Sequence, residues 1–164
     1  MTNPITTPIS ATISTELMHT EFLTQADPIS LHCVQSKFIV LYFYPRDSTP
    51  GCTIEASDFA ELYPMFIEKN TAIIGISRDP VKSHLKFAEK YNLPFSLIAD
   101  IEEQLCQAFN VMRLKNMYGK QVRGIERSSF IITPSGMILK EWRKVKVEGH
   151  AHDVYQSILD LIDL

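Results

Sequence analysis

A proline, a threonine and a cysteine stand at a spacing that suits thiol chemistry. They are Pro45, Thr49 and Cys52, arranged as P-x-x-x-T-x-x-C. The thiolate form of cysteine is a nucleophile. A tight loop can place the Thr49 hydroxyl, which lies three residues earlier in the chain, beside the sulfur. The spacing therefore indicates a reactive Cys52 with a hydrogen-bonding group next to it.

The elements around Cys52 are expected to hold it at a helix N-terminus. Residues 38–44 (FIVLYFY) form an apolar run of β-branched and aromatic residues, which predicts a central strand buried on both faces. Two prolines and a glycine then force a loop, and from Thr53 the apolar residues recur with a helical period. The first turn of a helix has unpaired N–H groups and the positive end of the macrodipole. This position therefore favours a thiolate.

The alternative for Cys52 is a buried structural thiol, since free cysteine is among the most buried residue types. The residues directly before it favour the reactive interpretation, and they also carry a family resemblance. P-x-x-x-T-x-x-C matches the active-site signature of the peroxiredoxins, the cysteine-dependent peroxidases. The longer string YFYPRDSTPGCTIEA and the string WRKVKVEGH resemble their bacterioferritin-comigratory-protein or Q-type group. The resemblance covers roughly residues 37–160.

The resemblance implies a role for each residue of the motif. Cys52 would be oxidised by the peroxide to a sulfenic acid, Thr49 would bond the peroxide, and Pro45 would shield the sulfenate from water. Arg127, in the string RSSFII, matches the family's arginine at the head of a late strand and would keep the thiol ionised. The other arginines that spacing alone allows are Arg46, Arg113 and Arg123.

Two of these residues have simpler alternative roles. The Thr49 side chain could cap the following helix, which threonine does well. Pro45 could do no more than end the strand. For Thr49 the capping role and the catalytic role are compatible with each other.

This sequence departs from its relatives at the second, resolving cysteine. Many Q-type proteins carry it five residues after the first, where this chain has Ser57, and others carry it in the next helix, at about Ala88. Cys106 lies in a short predicted helix and is expected to be a core thiol, with resolution as the alternative. Cys33 lies near the N-terminus and is also a candidate. The resemblance thus implies a one-cysteine peroxidase that an external thiol regenerates: thioredoxin, glutaredoxin or glutathione.

Composition narrows the cellular setting and the class of partner. The chain has 164 residues, a net charge of −3 and a pI near 5.9, which argues against nucleic acid or an anionic membrane as its partner. No apolar run approaches the ~20 residues of a membrane span. Three cysteines form neither a disulfide framework nor a zinc pattern, which suits a reducing compartment. Without a visible signal peptide, the expected location is cytoplasmic.

The order of the elements predicts a thioredoxin-like α/β fold, as in peroxiredoxins, with a central mixed sheet flanked by helices. Strands are expected at 38–44, 71–77, 95–99, 128–133 and 137–142, and helices at 53–69, 80–91, 102–109 and 151–162. One domain would span residues 13–164, preceded by a flexible tail over residues 1–12. Residues 13–35 are interpreted as an N-terminal hairpin, and residues 110–127 as a basic loop.

Several single residues carry expectations of their own. Asp79 and Asp100 are predicted to cap helices, and Leu85 to face the core together with Ala88. His150, with His152, is interpreted as a capping or surface group rather than a metal ligand.

Taken together, the residues and the resemblance predict an enzyme that reduces hydrogen peroxide and organic hydroperoxides through Cys52. It would be a monomer and would need no metal or organic cofactor. The alternative function is a peroxide sensor, in which the Cys52 sulfenate signals to a partner without efficient turnover. Multiple turnovers with a reducing system would distinguish the enzyme from the sensor.

Overall fold

The computed structural model describes residues 11–164, which form a central sheet with helices on both faces. The described elements, in chain order, are α1 (Thr15–His19), a 3-10 turn (Leu31–Cys33), β1 (Phe38–Phe43), α2 (Pro50–Glu68), β2 (Thr71–Ser77), α3 (Val81–Tyr91), β3 (Ser96–Ala99), α4 (Gln104–Ala108), β4 (Met112–Met117), β5 (Lys120–Ile125), β6 (Ser128–Ile132), β7 (Ile138–Trp142) and α5 (His150–Ile162). Among the described residues, no helix is long and apolar enough to cross a membrane.

The central sheet has five strands in the order β3-β2-β1-β6-β7. β1 pairs with β2 in parallel and β2 with β3 in parallel, as helical connections require, whereas β6 and β7 run antiparallel. The predicted α/β fold with a central mixed sheet is therefore confirmed. Phe43 of β1 pairs with Ser128 of β6, so the end of β1 and the start of β6 lie at the same edge of the sheet.

β1 divides the core into two layers. All six of its residues are buried, as predicted for a central strand. Val40 and Tyr42 point into the first layer, which α2, α3 and α5 cover, and Ile39 and Leu41 point into the second. The second layer is closed by α1, α4 and the residues that flank the β4–β5 hairpin. The sheet thus separates two apolar clusters.

Residues 110–127 are not the predicted loop. β4 and β5 form an antiparallel hairpin in a separate two-stranded sheet, joined by Tyr118 and Gly119. Both linking residues have positive φ, 54° and 80°, which is the two-residue turn whose twist matches a hairpin. Leu114 and Val122 are exposed, so the strands lack the alternating burial that identifies a strand in sequence.

The predicted hairpin at residues 13–35 is also largely wrong. Residues 15–19 form a short helix, whose first turn is capped by the Ser14 hydroxyl accepting from the Leu17 amide at 3.1 Å. Only the bridge between Phe22 and Ile29 has hairpin pairing. Most of the predicted tail lies outside the described residues, but Thr12 is described and pairs with Met137.

Two expectations for α3 also need correction. Asp79 does not cap the helix, because Pro80 occupies the cap position and the Asp79 carboxylate accepts from the Asp47 amide instead. Leu85 is exposed, and the inner face of α3 carries His84 and Phe87 together with Ala88. In α4, by contrast, the Asp100 carboxylate accepts from the amides of Leu105 and Cys106, as expected of a capping group.

Candidate active site

Cys52 lies in the first turn of α2, where the loop from β1 enters the helix. Its side chain is 1% exposed, at the carboxyl edge of the parallel part of the sheet. Gly51 precedes it, and a Cβ there would lie 3.1 Å from Nη2 of Arg127. The glycine therefore leaves room for the guanidinium to approach the helix N-terminus.

Arg127 is the arginine that the fold brings to the cysteine. It directly precedes β6, and its Nη1 lies 3.5 Å from Cys52 Sγ, although 75 residues separate the two in sequence. Two of the other candidate arginines form ion pairs of their own, Arg113 with Glu126 and Arg123 with Glu103. Arg46 is exposed in the β1–α2 loop.

Glu55 belongs to the site, and the sequence reasoning missed it. Its Oε1 accepts from Arg127 Nη1 at 2.7 Å, while its Oε2 is buried without a partner among the described residues. Burial raises the pKa of Glu55 to about 7, and the charge and hydrogen bond of Arg127 oppose that shift. Its spacing could have identified it, since a residue three positions after Cys52 lies on the same face of a helix.

Thr49 occupies the N-cap position of α2, but its hydroxyl does not cap the helix. The hydroxyl donates instead to the Arg46 carbonyl at 2.9 Å, which leaves its two lone pairs available as acceptors. The Thr49 carbonyl accepts from the amide and hydroxyl of Thr53. Pro45 follows β1 and is half-buried.

A second buried polar group lies on β1, in the same core layer as the sulfur. The Tyr42 hydroxyl is fully buried and has no hydrogen-bond partner among the described residues. Burial raises the pKa of Tyr42, and the nearby charges of Glu55 and Cys52 raise it further. The site thus combines a thiol, a guanidinium and a carboxyl where the helix begins, with a buried phenol in the same core layer.

Next to this site, the β1–α2 loop is fixed by a buried polar network that the sequence did not reveal. The Asp47 carboxylate accepts from the Tyr44 hydroxyl at 2.6 Å, the Ser83 hydroxyl at 2.7 Å and His84 Nδ1 at 2.8 Å. Possible ligand atoms of Asp47, Asp79 and His84 lie within 4.8 Å of one another. Each of these residues takes part in hydrogen bonds that hold the loop, so we assign the cluster a structural role.

His150 is not a surface group, contrary to the expectation from sequence. It is 4% exposed at the start of α5, and its Nε2 lies 2.8 Å from the Ser129 hydroxyl. Burial lowers its pKa to about 4, so the ring is neutral at physiological pH. Its environment between Phe59 and Trp142 is that of a structural core residue.

The other two cysteines lie far from this site. Cys106 is fully buried in the second core layer, whereas Cys52 belongs to the first, so the sheet lies between them. Burial, followed by the nearby Asp100, raises the pKa of the Cys106 thiol well above its usual range. Cys33 is exposed, and its neighbour His32 stacks on His19 of α1.

The position of α1 places Cys33 near the start of β1, at the end of the sheet opposite to Cys52. α1 packs on the β6–β7 turn, where the Ile13 amide donates to the Gly136 carbonyl. That turn lies at the start of β1, because Ile132 of β6 pairs with Ile39. Six residues of β1 span about 20 Å, and Cys52 lies beyond their other end.

The arrangement suits reduction of a small electrophile by the thiolate. Arg127 and the N-terminus of α2 stabilise a negative sulfur, and the same donors can stabilise negative charge that develops on a leaving group. The Thr49 hydroxyl offers acceptor lone pairs beside the helix start.

Comparison with known proteins agrees with this chemistry. The AhpC/TSA family matches residues 14–141. Peroxiredoxin Bcp of Bacillus subtilis is 48% identical over 135 residues, covering 82% of this chain and 86% of the relative. Peroxiredoxin Bcp of Xanthomonas campestris is 53% identical over 121 residues, covering 74% of this chain and 76% of the relative.

Solved structures give the same match in three dimensions. The bacterioferritin comigratory protein of Xanthomonas campestris, described for its alkyl peroxide reduction activity, has a TM-score of 0.86 at 42% identity and covers 93% of this chain and 98% of its own. A peroxiredoxin Q of Xylella fastidiosa has a TM-score of 0.89 at 38% identity, with coverages of 97% and 99%. The predicted thioredoxin-like fold is confirmed by these neighbours.

Proposed function

This chain belongs to the AhpC/TSA family and is a thiol-dependent peroxidase of the Bcp or Q-type group, and we propose that Cys52 is the thiol that reduces the peroxide. The observation that carries this assignment is the 3.5 Å separation between Arg127 Nη1 and Cys52 Sγ at the N-terminus of α2. Among the three cysteines, Cys52 alone has a guanidinium nitrogen within hydrogen-bonding distance in the described structure.

The reaction is an in-line displacement at oxygen. The Cys52 thiolate attacks one peroxide oxygen, the S–O bond forms as the O–O bond breaks, and the bonding pair leaves with the other oxygen. That oxygen takes the peroxide proton and departs as water or an alcohol. Thr49 accepts from the peroxide O–H, and Arg127 donates to the oxygen on which charge develops. Cys52 is left as a sulfenate, which becomes the sulfenic acid by taking a proton from solvent.

Regeneration needs thiols from outside the chain. One external thiol condenses with the sulfenic acid, giving a mixed disulfide and water, and a second thiol then releases Cys52 and leaves as the oxidised partner of the first. The one-cysteine mechanism is supported by the positions of Cys33 and Cys106, at the far edge and on the far face of the sheet. Thioredoxin, glutaredoxin and glutathione are the candidate reductants.

Pro45 completes the proposed site. It is half-buried where β1 leads into the loop, and we assign it the shielding of the sulfenate from water. A monomer in the reducing cytoplasm is consistent with three free cysteines among the described residues.

The test is peroxide consumption with thioredoxin and its reductase, run beside the same assay with glutathione. We expect many turnovers per protein with at least one reductant, and none in Cys52→Ser. Cys33→Ser and Cys106→Ser are the matched controls and should retain the first oxidation at the wild-type rate. A single stoichiometric oxidation with every reductant would favour the sensor function, and substantial activity in Cys52→Ser would refute the assignment.

A further inference from the structure

The peptide group between Arg46 and Asp47 lies in the β1–α2 loop and is held at both of its polar atoms. Its carbonyl oxygen accepts the Thr49 hydroxyl at 2.9 Å, and its N–H donates to Asp79 Oδ2 at 2.9 Å. In a trans peptide the N–H and the carbonyl are coplanar and point in opposite directions, so fixing one fixes the other. The Asp79 carboxylate therefore fixes the orientation of the Arg46 carbonyl, which accepts the hydrogen bond of the Thr49 hydroxyl.

The Asp79 carboxylate is itself tied to the sheet. Its Oδ2 also accepts the Ser77 hydroxyl at 2.6 Å, and the Asp79 amide donates back to the Ser77 oxygen at 3.2 Å. Ser77 is the last residue of β2, the parallel neighbour of β1, and is fully buried. The peptide in the loop is thus held in a fixed position relative to β2.

The residue on the other side of that peptide is anchored as firmly. The Asp47 carboxylate, in a residue only 6% exposed, accepts from Tyr44, Ser83 and His84. The second ring nitrogen of His84 lies 3.0 Å from the Ile98 carbonyl of β3. The loop is therefore held between β1, α3 and β3, which restricts its movement when substrate binds.

The backbone of the loop shows that these anchors impose its conformation. Ser48, between Asp47 and Thr49, has a φ of 64°, in the left-handed region. A residue with a Cβ is disfavoured there and persists only where its surroundings enforce it. The hydrogen bonds of Asp47 and Asp79 supply that enforcement directly before Thr49.

We propose that Asp79 is a positioning residue of the peroxidase site and acts on Thr49 through the Arg46–Asp47 peptide, an inference that rests on the function proposed above. Because the Thr49 hydroxyl donates its hydrogen bond to the Arg46 carbonyl, the Thr49 oxygen presents its lone pairs to the O–H of a hydroperoxide. Without the carboxylate, the peptide can rotate and the hydroxyl loses its fixed acceptor. The bound peroxide is then aligned less often for attack by Cys52.

The experiment is a double-mutant cycle on the rate at which the reduced protein reacts with hydrogen peroxide. We expect Asp79→Ala to slow this reaction roughly fivefold to tenfold, the worth of one hydrogen bond. In the Thr49→Val background the same change should have no further effect, because the group through which Asp79 acts is gone. Alkylation of Cys52 by iodoacetamide, which has no O–H to align, should stay within about twofold of wild type in Asp79→Ala.

Two further variants serve as controls for this experiment. Asp79→Asn retains an oxygen with two lone pairs and should preserve most of the rate even if the alanine variant folds poorly. Glu89→Gln removes a carboxylate from the exposed side of α3 and should leave the rate unchanged.

Each contrary result has a distinct meaning. Equal slowing by Asp79→Ala in the wild-type and Thr49→Val backgrounds, or a wild-type rate in Asp79→Ala, would overturn the positioning role while leaving the peroxidase function intact. A wild-type protein that reacts with peroxide no faster than free cysteine would overturn the peroxidase function itself, and this inference with it.

Discussion

At the scale of single residues, one guanidinium nitrogen contacts two acidic groups. Arg127 Nη1 lies 3.5 Å from Cys52 Sγ and 2.7 Å from Glu55 Oε1. We expect Arg127→Gln to slow the reaction with peroxide by about tenfold to a hundredfold, because the nearby cation stabilises negative charge on the sulfur and on the leaving oxygen. Stopped-flow measurement with hydrogen peroxide checks the rate.

The matched control for Arg127 is Arg123→Gln. Arg123 lies in β5 and pairs with Glu103, so its loss should not change the rate with peroxide. Equal slowing in the two variants would show that the effect comes from the overall charge of the protein and not from the contact with Cys52.

Glu55 predicts a pH dependence of stability. Burial raises its pKa to about 7 in the folded chain, above the ~4.3 of an unfolded one, so between these values the folded state binds more protons. The free energy of unfolding should therefore fall as the pH rises from about 4.5 through 7, by up to about 3 kcal/mol. Urea denaturation at about pH 5 and pH 8 measures this fall.

Glu55→Gln should remove this part of the pH dependence, since the amide does not ionise. Glu61→Gln, on the exposed side of the same helix, should leave the dependence as in wild type. An unchanged dependence in Glu55→Gln would assign the fall to other groups.

The sequence predicted the site residues that form a local motif, but not those whose role depends on their burial in the fold. Pro45, Thr49 and Cys52 share one loop and helix start, and their spacing is visible in the chain. Glu55 and His84 were missed because most Glu and His residues stay near solvent, and only the fold shows that these two are almost fully buried.

At the scale of the elements, the β1–α2 loop is under backbone strain at Ser48. We expect Ser48→Gly to be tolerated, because glycine has no Cβ to clash in the left-handed region. Ser48→Val should lower the free energy of unfolding by about 1–2 kcal/mol, since a β-branched residue is least tolerated there. Denaturant unfolding of the variants decides this.

Ser57→Val in α2 is the control for Ser48→Val. It makes the same change at an exposed helical position with ordinary φ, where only a few tenths of a kcal/mol are at stake. Equal losses at the two positions would mean that Ser48 is not strained.

The elements that sequence reasoning found are those with a one-sided or fully buried pattern. β1 is an uninterrupted apolar run and α2 follows it with helical periodicity, so both could be predicted. The β4–β5 hairpin could not, because its strands leave apolar and basic side chains in solvent together. Its turn was obscured by Tyr118, since asparagine or aspartate usually occupies that position before glycine.

At the scale of the whole molecule, the sheet keeps the other two thiols apart from Cys52. A disulfide needs Cα atoms within ~7 Å, whereas Cys106 lies beyond the sheet from Cys52 and Cys33 lies at its opposite edge. Without a resolving thiol the Cys52 sulfenic acid should persist, so excess peroxide should drive it to the sulfinic acid. Intact-mass analysis after a peroxide titration would show this product, and its absence at high peroxide would contradict the one-cysteine mechanism.

The most direct test of the account is to locate the oxidation after one equivalent of hydrogen peroxide. The reduced protein is mixed with peroxide in the presence of a sulfenic-acid trapping reagent and mapped by non-reducing mass spectrometry. We predict that the label falls on Cys52 and that no intramolecular disulfide forms, with the same result in Cys33→Ser and Cys106→Ser. A rapid, quantitative bond between Cys52 and Cys106 or Cys33, or a label on either of those two residues, would contradict it.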